Sequence, residues 1–145
     1  MSYWLHMNGV IMLNSYEEYD KVENFLKNEV FGETASFGEE TKSEIAMPEG
    51  SEGTADYTIT ECDGYIQIII SGNLRELENK DLGEIEKWYI GALNKINSYN
   101  GISVREQIFV AYVNHGNKII ITDKHTNIYE NQGIEVIRFG KREEY

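Results

Sequence analysis

Asp63-Gly64, set between two β-rich runs, restricts this chain more than any other feature. An Asp-Gly pair readily takes the left-handed backbone of a two-residue hairpin turn, and the turn then sets the register of the strands beside it. With these two residues as the turn, Cys62 faces Tyr65, Ile59 meets Ile68 and Tyr57 meets Ile70, giving an apolar face. Thr60 meets Gln67 and Asp56 meets Ser71 on the other face, which is mostly polar with Ile69 the exception. Residues 54–71 therefore read as a hairpin with one side for a core.

The remaining elements follow from periodicity. Residues 3–13 alternate as a first strand, in which Gly9 marks either a bulge or a close backbone approach. Ser15 with Glu18 reads as a capping box for a helix over 16–31, striped by Tyr19, Val22, Leu26 and Val30. Between 32 and 53 Gly, Glu, Ser and Thr dominate, which predicts a long loop, with room for a short strand near 44–47. A second helix spans 82–96, with Leu82, Ile85, Tyr89, Ala92, Leu93 and Ile96 on one stripe and Asp81 and Glu84 as its capping box. Asn100-Gly101 ends it. A strand over 102–113, a turn over 114–117 and a partner strand over 118–122 follow, then an edge strand over 134–139 and a frayed tail, 141–145. The order is β-α-β-β-α-β with an added C-terminal hairpin. That is an α+β, ferredoxin-like plan: one antiparallel sheet with two helices on one face.

Composition sets the outer limits. A chain of 145 residues is the size of one domain, and its single cysteine, Cys62, can form no internal disulfide. No apolar run approaches the roughly 18 residues of a membrane span, and the start Met1-Ser2-Tyr3-Trp4 lacks the features of a signal peptide, so a cytoplasmic protein is expected. Thirteen basic against 25 acidic residues give a formal charge of −12, which disfavours direct binding to nucleic acid or to an anionic membrane. An acidic excess has two readings: general solubility, or steering toward a basic surface, nucleic-acid channels included.

Residues with chemistry are scattered. His6, His115 and His125 fall on a strand, in a turn and in a loop, none at metal-ligand spacing from another ligand, so no metal and no cofactor is expected. Cys62 has no sequence sign of a base beside it. No catalytic residue emerges. One neighbourhood does. Carrying the hairpin register past Asp56 sets Glu52 opposite Arg75 and Gly53 opposite Leu74. Ser51, Glu52, Asn73 and Arg75 then adjoin at the open end of the hairpin. Structurally, this is an ion pair pinning two loops; functionally, it is a small polar ligand site. The ten tyrosines, among them Tyr65, Tyr99, Tyr129 and Tyr145 in turns or at ends, add an interface reading, while Trp88 belongs with the core.

Three pieces of the chain carry a resemblance: His6-Met7-Asn8-Gly9-Val10-Ile11, Met47-Pro48-Glu49-Gly50-Ser51-Glu52-Gly53, and Ser71-Gly72-Asn73-Leu74-Arg75 before the helix with Ile85-Glu86-Lys87-Trp88-Tyr89. Over about residues 3–97 the chain resembles a family of small proteins carried by phages and prophages of Gram-positive bacteria. It departs from that pattern at Asn73, where an acidic residue is usual, and in its longer C-terminal part. The resemblance implies a phage accessory protein acting inside an infected bacterium, and it brings no catalytic residue with it.

Three functions compete. The first is a non-enzymatic antagonist of host defence, an acidic inhibitor that covers a basic nucleic-acid-binding surface of a CRISPR or other anti-phage protein, as anti-CRISPR proteins do. The second is sequestration of a cyclic or linear nucleotide signal near Gly-Ser-Glu-Gly, with Arg105, Lys118 and Lys124 as further cations and a homo-oligomer compatible with it. An enzyme using Glu52 or His6 as general base ranks last.

Overall fold

The computed structural model describes residues 3–32, 47–62, 64–127 and 130–140, with the backbone alone at 125–127 and 130–132. Asp63, residues 44–46 of the short strand expected near 44–47, Tyr129, Tyr145 and the tail from 141 lie outside the described residues. The elements are β1 (Trp4–Ser15), α1 (Tyr19–Phe25) running on as one π-helical turn (Leu26–Val30), β2 (Asp56–Cys62) and β3 (Tyr65–Arg75). After a 3-10 turn (Asn79–Asp81) come α2 (Leu82–Ser98), β4 (Ile102–Val113), β5 (Lys118–Asn127) and β6 (Glu130–Phe139). The six strands make one antiparallel sheet in the order β2-β3-β1-β4-β5-β6. This is the ferredoxin-like α+β plan with β5 and β6 added beyond β4.

The hairpin pairs in the predicted register, from Cys62 with Tyr65 to Asp56 with Ser71. Its apolar side joins a core built from alternate positions of every central strand: Leu5, Met7, Ile11 and Leu13 of β1, Ile66, Ile68 and Ile70 of β3, and Phe109, Ala111 and Val113 of β4. All six stripe residues of α2 are buried against it. Tyr89 stacks on Phe109 with ring centroids 4.2 Å apart. Gly9 makes the close approach and not the bulge: a Cβ there would lie 2.8 Å from the Phe109 ring, and the bulge falls between Met12 and Leu13.

Both capping boxes differ from expectation. Ser15 stays in the ladder opposite Ile102, and its hydroxyl accepts from the Glu17 N–H at 3.1 Å. Strand pairing wins, so α1 starts later, at Tyr19, with the extended Glu18 as its N-cap residue. Its last turn widens so that the Phe31 N–H reaches the Leu26 carbonyl, which turns Phe31 inward onto Tyr57 and Trp88. Ahead of α2 the box closes one turn early: the Glu78 N–H donates to Asp81 at 2.7 Å, and Asp81 is already helical. His125, expected in a loop, lies on β5 opposite Asn131, because β5 runs on past Thr122.

One polar chain crosses the core. The Tyr89 hydroxyl donates to Gln107 Oε1 at 2.7 Å, and Gln107 donates its backbone N–H (2.9 Å) and its side-chain amide (3.3 Å) to Asp123. Burial, helped by the Asp123 charge, pushes the Tyr89 phenol far above its ordinary pKa. Replacing Tyr89 with Phe leaves Gln107 Oε1 without its donor, and a loss of about 1–3 kcal/mol is expected in urea unfolding. A raised phenol stabilises the fold fully below the unfolded-state value, and this contribution declines as pH rises past it. The advantage of the wild type over Tyr89→Phe is therefore expected to shrink above about pH 10.

Candidate functional site

Residues 48–55 fold into a small hairpin of their own. The Ala55 N–H donates to the Pro48 carbonyl, Glu49 bridges Thr54, and the Gly50 N–H donates to the Gly53 carbonyl. The tip lies across the end of β3 and takes up both backbone groups of Arg75: Ser51 N–H to the Arg75 carbonyl and Arg75 N–H to the Glu52 carbonyl, each 3.0 Å. The Arg75 guanidinium then donates to Glu52 Oε1 at 2.7 Å. Ser51, Glu52 and Arg75 are thus brought together as expected, though by this hairpin and not by a continued β2–β3 ladder, which ends at Asp56 and Ser71. Of the long predicted loop, 32 and 47–53 fall among the described residues.

This corner is a clasp by its geometry. A Cβ on Gly50 would stand 2.6 Å from the Arg75 nitrogen, and one on Gly53 would collide with the Asn73 carbonyl. The glycines are needed because two backbones touch, and the same closeness leaves no cradle for an anion between them. The fourth residue, Asn73, turns its side chain away along the sheet, where it accepts from His6 Nδ1. His6 in turn lies 5.1 Å from the Tyr112 ring.

Both helices pack on one face of the sheet, and among the described residues nothing covers the other, called the bare face below. Antiparallel sheets with a solvated side normally carry polar residues there. Here Ile69, Val10 and Ile108 form one cross-strand row, and Val110, Ile120 and Ile137 form the next. Ile108 is 50% exposed, Phe139 48% and Ile69 43%, too much for side chains that merely edge a core. Tyr112, Lys118 and Phe139 make a third row, with the Lys118 ammonium 5.2 Å from the Phe139 ring centroid. Of this tract only Ile69 stands out in the sequence, as an apolar residue on the hairpin's polar side. The others alternate with core residues and become a surface only when β1 is known to lie between β3 and β4.

A separate cavity of about 410 Å³ opens beside the clasp, between Tyr3, the 78–80 turn and the 113–116 turn. Lys80 and His115 bring basic groups to it and Glu78 an acidic one. Among the described residues, no group of three His, Cys, Asp or Glu side chains could hold a metal ion, and no helix is long and apolar enough to cross a membrane. No family model, no curated protein and no solved structure matches the chain.

A clasp and a ligand site respond differently to substitution. Gly50→Ala must displace the β3 backbone and is expected to cost about 1–3 kcal/mol. Glu52→Gln removes only an exposed ion pair and is expected to cost about 1 kcal/mol or less. Thermal melts of the two variants give the comparison directly; a larger loss in Glu52→Gln would refute the clasp.

Proposed function

We propose that this chain is a non-enzymatic protein-binding domain that docks through the bare face of its sheet onto a basic protein surface. In the setting its phage-like motifs imply, it works in the cytoplasm of an infected bacterium as an antagonist of host defence, covering the nucleic-acid-binding surface of a CRISPR or other anti-phage protein. The apolar tract of Ile69, Val10, Ile108, Val110, Ile120 and Ile137 carries this reading. Contiguous exposed apolar surface marks interaction sites, and the formal charge of −12 selects a basic partner. Glu52, one of the two residues that would serve as a general base, is already engaged by Arg75.

A second reading, sequestration of a nucleotide signal, is favoured by one observation. The 410 Å³ cavity falls within the range of about 300–1,000 Å³ typical of small-ligand sites.

The experiment that separates them starts with capture of candidate partners on the immobilised protein. Each is then purified, and its nucleic-acid binding is titrated with this chain. Displacement of the nucleic acid is expected, and the double variant Ile69→Asp/Ile108→Asp should weaken it about 30-fold or more, because a central apolar anchor is worth about 2 kcal/mol. Glu84→Gln on α2 should leave it unchanged. Equal displacement by the double variant would refute docking through this face. A rise of several degrees in Tm with linear or cyclic nucleotides, absent from the partner titration, would favour sequestration instead.

A further inference from the structure

The bulge between Met12 and Leu13 makes Arg105 the extra residue of β4: Met12 pairs with Glu106, but Leu13 pairs with Val104. Backbone pairing of β4 with β5 ends at Ile108 and Thr122, and one residue further the Asp123 carboxylate takes over by accepting from Gln107. Where the strands part, a shallow cavity of about 230 Å³ opens on the bare face, lined by Val10, Met12, Glu106, Ile108, Thr122 and Asp123, with Gln107 at its base. It is smaller than the roughly 300 Å³ at which small-molecule sites begin, so its natural occupant is a single side chain.

The lining selects which one. Val10, Met12 and Ile108 give apolar walls, and the unbranched Met12 adapts to an inserted chain. Glu106 is exposed at the rim and makes no ion pair among the described residues, whereas the Asp123 carboxylate is committed to Gln107. The adjacent cation, Arg105, is drawn aside over the Tyr65 ring, 4.6 Å from its centroid. A leucine in this cavity would strip water from Glu106 without giving it a partner. A lysine or arginine lays its stem along the apolar walls and brings its charge to the carboxylate.

From this geometry we infer that the cavity between β1, β4 and β5 is an anchor site for one basic side chain of the docked partner. The inference rests on the protein-binding reading above and names the chemistry at its centre.

The test uses the isolated protein, so it is independent of finding a partner. n-Butylguanidinium, n-butylammonium and the neutral n-butylurea are titrated into ¹⁵N-labelled protein and followed by NMR. Saturable shifts centred on Met12, Glu106, Ile108 and Thr122 are expected for the two cations and at most weak ones for the urea. Glu106→Gln, a surface change that leaves the fold intact, should weaken cation binding about fivefold, the value of an exposed ion pair. Glu84→Gln should not alter it. Equal binding of the urea, cation binding undiminished in Glu106→Gln, or shifts spread over the acidic helices with none at the cavity would each overturn the anchor. Such a failure leaves docking through the face to be judged on the Ile69→Asp/Ile108→Asp variant alone.

Discussion

Asp123 stands in for a ladder partner where the β4–β5 ladder stops. Its carboxylate accepts the Gln107 N–H that a continued β4–β5 ladder would have taken, and it fixes the Gln107 amide whose oxygen satisfies Tyr89. A buried phenol left without an acceptor is costly, so these three residues stand or fall together. The consequences reach both faces. Toward the helices, Tyr89 is held flat against Phe109, and Phe109 fills the space that Gly9 leaves open. Toward the bare face, β4 and β5 are allowed to separate, and the small cavity beside Ile108 and Glu106 follows from that separation. One acid at the edge of the core therefore sets the packing of α2 and the relief of the opposite surface.

Legibility in the sequence followed the range of the forces involved. The β2–β3 register was readable because a side-chain period of two and a local turn leave little freedom. It holds to Asp56 and Ser71, where the ladder ends, and beyond it Glu52 meets Arg75 through the separate 48–55 hairpin, with Gly53 against Asn73 and not Leu74. The stripe of α2 was readable for the same kind of reason. Both capping boxes were misplaced, since a cap competes with whatever else its residues can do: Ser15 had a strand partner in Ile102, and Glu78 supplied an earlier cap than Asp81. The π-helical turn was invisible because its cause is Phe31 meeting Tyr57 and Trp88 from other parts of the chain. Of the four residues expected to form a site, Ser51, Glu52 and Arg75 are joined, but to one another, while Asn73 belongs to the row of His6 and Tyr112. The apolar tract escaped notice since each strand contributes only one or two residues to it.

The two ends of the bare face differ in kind. At the corner near Arg75, backbone groups are spent on the 48–55 hairpin, and glycines let the chains touch. There the Glu52 carboxylate and the Arg75 guanidinium are engaged with each other. Toward β4 and β5 the surface is apolar, relieved by a cavity and bordered by the Glu106 carboxylate, which makes no ion pair among the described residues. Binding surfaces draw their energy from desolvated apolar anchors and their selectivity from the few charges set among them. The second region has both, and the first has neither to spare.

An exposed apolar sheet face carries a hazard, because a second copy of the chain offers the same surface. Net charge answers it. At −12, two copies approaching face to face repel one another, and the repulsion acts before the apolar side chains can touch. The same field draws in a basic surface. On the proposed reading, the acidic excess therefore works as a filter in front of a sticky patch, admitting partners by charge and holding them by apolar contact. It also explains why the acids need not lie within the patch itself: steering acts over about a Debye length, roughly 8–10 Å, and so the surrounding surface can supply it. Glu106, beside Ile108, is then a carboxylate near enough for direct contact, and its place at the rim of an apolar cavity links the long-range selection to the short-range one.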